Sequence, residues 1–171
     1  MKKIHFVAGV HGAGKGTLCS KLKESLNIPI YSCSDLIKEN SDYVEETKEV
    51  TTAERNQRAL LIGLAEIQDS EFLLDGHFCL VGKNQEIIQL SYDVFDEINP
   101  CSIILVSANV TEIYERLNAR DGYALNKNVL YRLQSQEKQR VSEYSELKCI
   151  NFHIYESGTE TYTVELFIKS R

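Results

Sequence analysis

The stretch FVAGVHGAGKGT, Phe6–Thr17, constrains the fold more than any other part of the chain. Four glycines and one lysine fall within Gly9–Thr17, directly after an apolar run, KIHFVAG (Lys3–Gly9), that reads as a buried strand. Glycine inside a regular element costs about 0.5–1 kcal/mol relative to alanine. Four together therefore imply a backbone that bends tightly and approaches a partner that a Cβ would obstruct. The next residues, Gly14–Leu26, repeat Leu18, Leu22 and Leu26 at a helical interval and read as a helix with one apolar face. Strand, glycine turn and helix in that order make an anion cradle. Successive N–H groups point inward, the helix N-terminus adds partial positive charge, and Lys15 reaches the outer phosphates of a nucleotide.

Beyond the loop, strands alternate with helices. Ile28–Ser32 reads as a second short strand, Ser34–Asn40 as a short helix, and SDYVEETKEVTT as an acidic loop. Thr51–Gln68 reads as a helix opened by threonine caps, with Leu60, Leu61, Leu64 and Ile67 on its apolar face. Glu71–Asp75 and Cys101–Ala108 supply the third and fourth strands, and Cys149–Tyr155 the fifth. Helices are expected over Asn109–Arg120, with a capping-box-like Glu112, over Asn126–Ser145, and over Thr159–Ser170. Apolar strands separated by helices predict an α/β, three-layer fold with a parallel five-stranded sheet flanked by helices. Ligands of such sheets bind outside the carboxyl ends of the strands, where the glycine loop lies.

The 171 residues suffice for a single domain, 1–171, and 43% of them are apolar, so the core needs no covalent staple. A net charge of −6 argues against a general nucleic-acid binder, so no DNA is expected. The cysteines, Cys19, Cys33, Cys79, Cys101 and Cys149, are odd in number and lack CxxC spacing, and read as small buried hydrophobes in a reducing compartment. No segment approaches a membrane span, and the apolar run after Lys2 and Lys3 is too short to direct export, which gives a cytoplasmic expectation.

GAGKGT resembles the phosphate-binding loop of adenylate kinases, in which a glycine stands between the lysine and the threonine. FLLDGHF (Phe72–Phe78) resembles the third-strand segment of nucleoside monophosphate kinases, which ends in an aspartate. His77 matches the Asp-x-His segment of short-lid adenylate kinases of the archaeal and the atypical, ribosome-maturation-associated type, and Glu97–Gly122 is similar to the same proteins. The chain departs from the family at Gly16, where the general pattern has Ser or Thr after the lysine, and at Val10-His11, where the family has a proline.

The resemblance implies ATP bound by Gly12, Ala13, Gly14, Lys15, Gly16 and Thr17, with Mg2+ held largely through water by Thr17 and Asp75. It further implies a catalytic set of Lys15, Arg120, Arg116, Asp75 and His77, and a short lid at about 120–128. Arg116 and Arg120 are four apart and so share a helix face. From the residues alone, Asp75 also fits a turn or cap, Arg116 a surface pair with Glu112 or Glu115, and Arg132 a surface position beside Arg140. His5 and His153 fall in strand patterns and read as core or edge residues.

The acceptor side, about 33–70, is less decisive. Where adenylate kinases have Thr-Gly-Asp-Leu and then arginine, this chain has CSDLIK, so Asp35 keeps its place while Lys38 replaces the arginine and loses its bidentate fork. Arg55 is a candidate for the missing charge, with Arg132 as a further acceptor-side arginine, and Arg58 reads as solvated. Three functions stay open. The first is γ-phosphoryl transfer from Mg–ATP to a nucleoside monophosphate, AMP foremost. The second is transfer to a small alcohol, as in shikimate- and gluconate-type kinases, with Asp35 as base. The third is a slow ATPase acting on a protein or ribonucleoprotein partner.

Overall fold

A computed structural model describes residues 2–43 and 51–171. The expected acidic loop and acceptor-side segment include 44–50, which lie outside the described residues.

Five strands, β1 (Lys3–Ala8), β2 (Ile30–Ser32), β3 (Glu71–Asp75), β6 (Ser102–Ser107) and β7 (Phe152–Glu156), form a parallel sheet in the order β2-β3-β1-β6-β7. The central strands are apolar on both faces because helices cover both. Phe6, Val7, Ala8, Leu73, Leu74 and Ile103–Val106 are all buried. The helices are α1 (Lys15–Leu26), α2 (Cys33–Asn40), α3 (Thr52–Glu66), α4 (Tyr92–Ile98), α5 (Val110–Asp121), α6 (Lys127–Lys148) and α7 (Tyr162–Lys169). This is the parallel α/β architecture of P-loop kinases. None of the described helices is long and apolar enough to cross a membrane.

Local chemistry sets several boundaries. Thr51 caps α3 with a reciprocal box, its hydroxyl accepting from the Glu54 N–H while Glu54 accepts from the Thr51 N–H. The box expected at α5 does not form. Asn109 caps the Thr111 N–H, and Glu112 turns instead to Arg116 at 2.9 Å. Strand β7 starts three residues later than the sequence suggests, because Cys149 adopts a left-handed conformation (φ 54°) that terminates α6. Cys149 is accordingly exposed, whereas Cys19 and Cys79 are buried as expected. Helix α7 is shorter than expected because Ser157–Thr159 makes a turn, with the Thr159 N–H bonded to the Glu156 carbonyl.

The sequence reading leaves 76–100 unassigned. It contains a hairpin, β4 (Cys79–Val81) against β5 (Ile87–Gln89), and then α4. Phe78, at its start, stacks on Phe95 of α4 at 3.8 Å, and the Phe6 ring meets both edge-on at 5.6 and 5.5 Å. Such pairs contribute about 0.5–1.5 kcal/mol each beyond area burial. The cluster ties the segment leaving β3 to the strand that leads into the glycine loop.

His5 bridges three strands. It lies on β1, fully buried, with Nδ1 2.7 Å from the Ser102 hydroxyl on β6 and Nε2 3.1 Å from Glu71 on β3. Burial pushes its pKa below the usual 6.5, against the pull of Glu71, so the neutral ring donates from Nε2 and accepts at Nδ1. The unfolded chain then binds a proton more readily than the folded one, and His5 costs stability as the pH falls below 6.5. Melting curves of the wild type and His5→Gln between about pH 7 and about pH 5 check this. The wild type loses more melting temperature over that interval than the variant; parallel losses contradict the neutral assignment.

Candidate active site

The glycine loop leaves β1 at the sheet's switch point, between β3 and β6. Gly9 has φ +150°, and a Cβ there would sit 2.8 Å from the Val106 carbonyl oxygen, a main-chain atom that cannot step aside. Gly14, at φ +102°, is the N-cap of α1 without a side-chain cap, and a Cβ would meet the Ser157 hydroxyl at 2.6 Å. The first-turn N–H groups of α1 thus face a cleft of about 360 Å³, alongside Gly12 and Lys15.

Lys15 is only 7% exposed. Its Nζ donates to the Gly9 carbonyl at 2.8 Å and contacts the Val10 carbonyl at 3.4 Å, with Asp75 Oδ1 at 3.6 Å. Burial lowers the lysine's pKa although Asp75 and Glu137 oppose it. Burial likewise raises the Asp75 pKa although Lys15 opposes it, and the charge of Asp35 adds to the rise. Desolvation outweighs attraction for both partners, so the site is short of favourable charge contacts and a bound polyanion would stabilise the Lys15 ammonium. Thr17 is exposed beside the cleft, and Asp75 is a hard oxygen donor on its floor. This oxygen-only pair suits Mg2+, which takes one or two protein oxygens and keeps water or substrate phosphate for the rest.

On the far side, α5 presents two arginines with different attachments. Arg116 Nη1 donates to the Gly12 carbonyl and to the Ser157 hydroxyl, both at 3.2 Å, and Nη2 donates to Glu112. It braces the glycine loop against α5 and the turn after β7, in addition to lining the cleft. Arg120 also lines the cleft, and its guanidinium lies bidentate on Asp121 at 2.7 Å for each bond. Both partners of the bridge are exposed, the arginine by more than half, so little holds the side chain there against an anion in the cleft.

His77 packs against His11, with ring centroids 4.4 Å apart, where the family's proline would supply no aromatic ring. Burial and then Lys15 push the His77 pKa down to about 3, so it is a neutral donor or acceptor. The cysteines near the site are inert: burial pushes the thiols of Cys19, Cys33 and Cys79 up to about 12.

The remaining candidates are more scattered. Asp35 and Lys38 are exposed on α2, while Arg55 is half-buried in the first turn of α3. Arg132 is exposed on α6 and does not line the cleft. Sequence reasoning missed Gln134, whose amide grips both the N–H and the carbonyl of Ala108 just beyond β6, at 3.1 and 2.9 Å. It also missed Glu137, fully buried on the same helix, and Ser157. The signal for Glu137 is positional. It falls on the apolar stripe of Leu130, Leu133, Val141 and Tyr144, where a carboxylate needs a reason.

Solved structures share this fold at low identity. An uncharacterized protein from Eubacterium ventriosum is 16% identical with a TM-score of 0.52, covering 99% of this chain and 100% of its own. TT1252 from Thermus thermophilus is 17% identical with a TM-score of 0.53, covering 99% and 95%. A sugar kinase from Janibacter is 13% identical with a TM-score of 0.55, covering 99% and 94%. No curated protein sequence matches the chain. The family model described as an AAA domain matches residues 8–130, which run from the last residue of β1 through the glycine loop and Asp75 to both cleft arginines. The chain belongs to this AAA-domain family of P-loop, kinase-like NTPases.

Proposed function

We infer that the protein transfers the γ-phosphoryl group of Mg–ATP to a small acceptor, with a nucleoside monophosphate, AMP foremost, as the first reading. The observation that carries this is Lys15, buried at the glycine loop with its Nζ on the Gly9 and Val10 carbonyls, 3.6 Å from Asp75 and lining the same cleft as Arg120. Gly12–Thr17 bind the donor phosphates through main-chain N–H groups, and Lys15 neutralises the outer ones. Thr17 and Asp75 are the residues that would hold Mg2+, which when bound offsets phosphate charge. Arg120 leaves Asp121 for the transferring group, and Arg116 keeps the loop in place.

A nucleoside monophosphate needs no base, because its second pKa is about 6 and its oxygen is already ionised at neutral pH. Alignment and charge neutralisation then suffice. The resemblance of GAGKGT and of the α5 region supports this acceptor. One observation supports a hydroxyl acceptor instead: the charge of Asp35 contributes to the raised pKa of Asp75, and an alcohol acceptor would use such a carboxylate as its base.

A coupled ADP-release assay with nucleoside monophosphates and small alcohols separates the two. On the first reading AMP stimulates ADP release and Asp35→Asn keeps most of that activity. Stimulation by alcohols alone, lost by about 10²-fold or more in Asp35→Asn, establishes the second. Nucleotide binding with no stimulation by either class contradicts both.

A further inference from the structure

The feature that the proposed chemistry leaves unused lies behind the cleft. Glu137, midway along α6, is fully buried, and its partners are main-chain amides. Oε1 accepts from the Gly9 N–H at 3.1 Å and from the Phe78 N–H at 2.9 Å. Oε2 accepts from Phe78 at 3.0 Å and from the Cys79 N–H at 2.7 Å. Burying a carboxylate is expensive, and hydrophobic residues would pack this stripe at lower cost. The three amides belong to two segments that the sheet has ceased to hold together. The β1–β3 ladder ends at Val7↔Asp75, with one further bond from the Gly76 N–H to the Val7 carbonyl. Beyond it Gly9 turns into the glycine loop, while Phe78 and Cys79 turn into the hairpin. Glu137 joins the two just past the last main-chain bond between them.

The functional groups hang from those same segments. Gly9, whose N–H meets Glu137, offers its carbonyl to Lys15 Nζ at 2.8 Å. Asp75 and His77 lie immediately before Phe78. We propose that Glu137 is a positioning residue for phosphoryl transfer, its carboxylate setting the distance between the donor loop and the Asp75–His77 corner. This rests on the phosphotransferase reading. A carboxylate suits the task because its two oxygens accept from both segments without donating. A glutamine would offer an N–H₂ group to one of them and repel it.

The test compares steady-state constants of the wild type, Glu137→Gln and Glu137→Asp, with folded fractions measured at the assay temperature. Aspartate keeps the charge but retracts it by one methylene. The amides of residues 12–17 sit at the start of α1 and do not touch Glu137, so KM for ATP stays within about threefold, whereas kcat falls about 10²-fold in both variants, the usual scale for misalignment near 1 Å. Unchanged kcat overturns the proposal, as does a loss of kcat that only follows the folded fraction. If neither variant folds, nitrogen-15 NMR of the wild-type protein decides. Titration with Mg–ADP moves the Gly9, Phe78 and Cys79 amides along one binding curve, and movement of Gly9 without the other two overturns the splint. A wild-type chain that binds Mg–ADP with that common curve but transfers no phosphoryl group fails the phosphotransferase reading while the splint itself stands.

Discussion

Lys15→Ala lowers phosphoryl-transfer turnover by at least about 10³-fold, the scale of losing one preorganised charge contact to the reacting group and more. The folded protein survives the change. Taking away an ammonium that is 7% exposed removes a desolvation cost, and Asp75, whose pKa burial has already raised, can accept a proton in compensation. The Gly9 and Val10 carbonyls lose their donor, a penalty of about 1–3 kcal/mol that opposes this gain. The melting temperature therefore moves by only a few degrees, roughly 2–4 °C per kcal/mol for a chain of this size. Turnover and melting measured on the same preparation separate the effects. A variant with wild-type turnover removes Lys15 from the donor site, and one that unfolds shows that the lysine serves the fold.

Arg120→Ala lowers kcat by about 10³-fold, the lower end of the range for an arginine supplied to a transferring phosphoryl group. KM for ATP changes little, because the guanidinium rests on Asp121 and not on the glycine loop. Arg120→Lys restores little, since a lysine keeps the charge but lacks the planar fork. Arg116→Ala behaves differently: with its bonds to Gly12 and Ser157 gone, the loop loosens and KM rises along with any loss of kcat. Equal kcat/KM profiles for Arg116→Ala and Arg120→Ala contradict the separation of their roles.

That separation was invisible in the sequence. Spacing places both arginines on one face of α5, but what divides them is Ser157, 41 residues from Arg116 and brought to it by the turn after β7. The glycine loop, by contrast, was largely legible, because its information is local: Gly9, Gly12 and Gly14 where φ is positive, a lysine at the helix start, an apolar strand before. Only Gly16, inside α1 with open space where a Cβ would sit, does not follow the steric argument. Asp75 was legible as the end of an apolar run, and the parallel sheet followed from the alternation of such runs with helices.

The hairpin and α4 were not legible, since β4 and β5 have three residues each and α4 seven, too few to show a period. Glu137 was hidden in another way. It stands in a helix rich in Gln, Glu and Lys, where a glutamate attracts no notice until the inward stripe is known. Its partners, Gly9 and Phe78–Cys79, lie more than fifty residues away in the chain. His11 reads as a minor departure from a family pattern, yet it brings a second ring against His77.

Every role proposed for the cleft requires that the main-chain amides of the glycine loop, completed by the Lys15 ammonium, bind nucleotide phosphates. Calorimetric titration of the wild type and of Lys15→Ala with a non-hydrolysable Mg–ATP analogue tests this directly. The wild type saturates at submillimolar analogue, and the variant binds at least about tenfold more weakly, a loss of roughly 1.4 kcal/mol or more. Absence of binding by the wild type at millimolar analogue, or equal affinity in the two proteins, contradicts it.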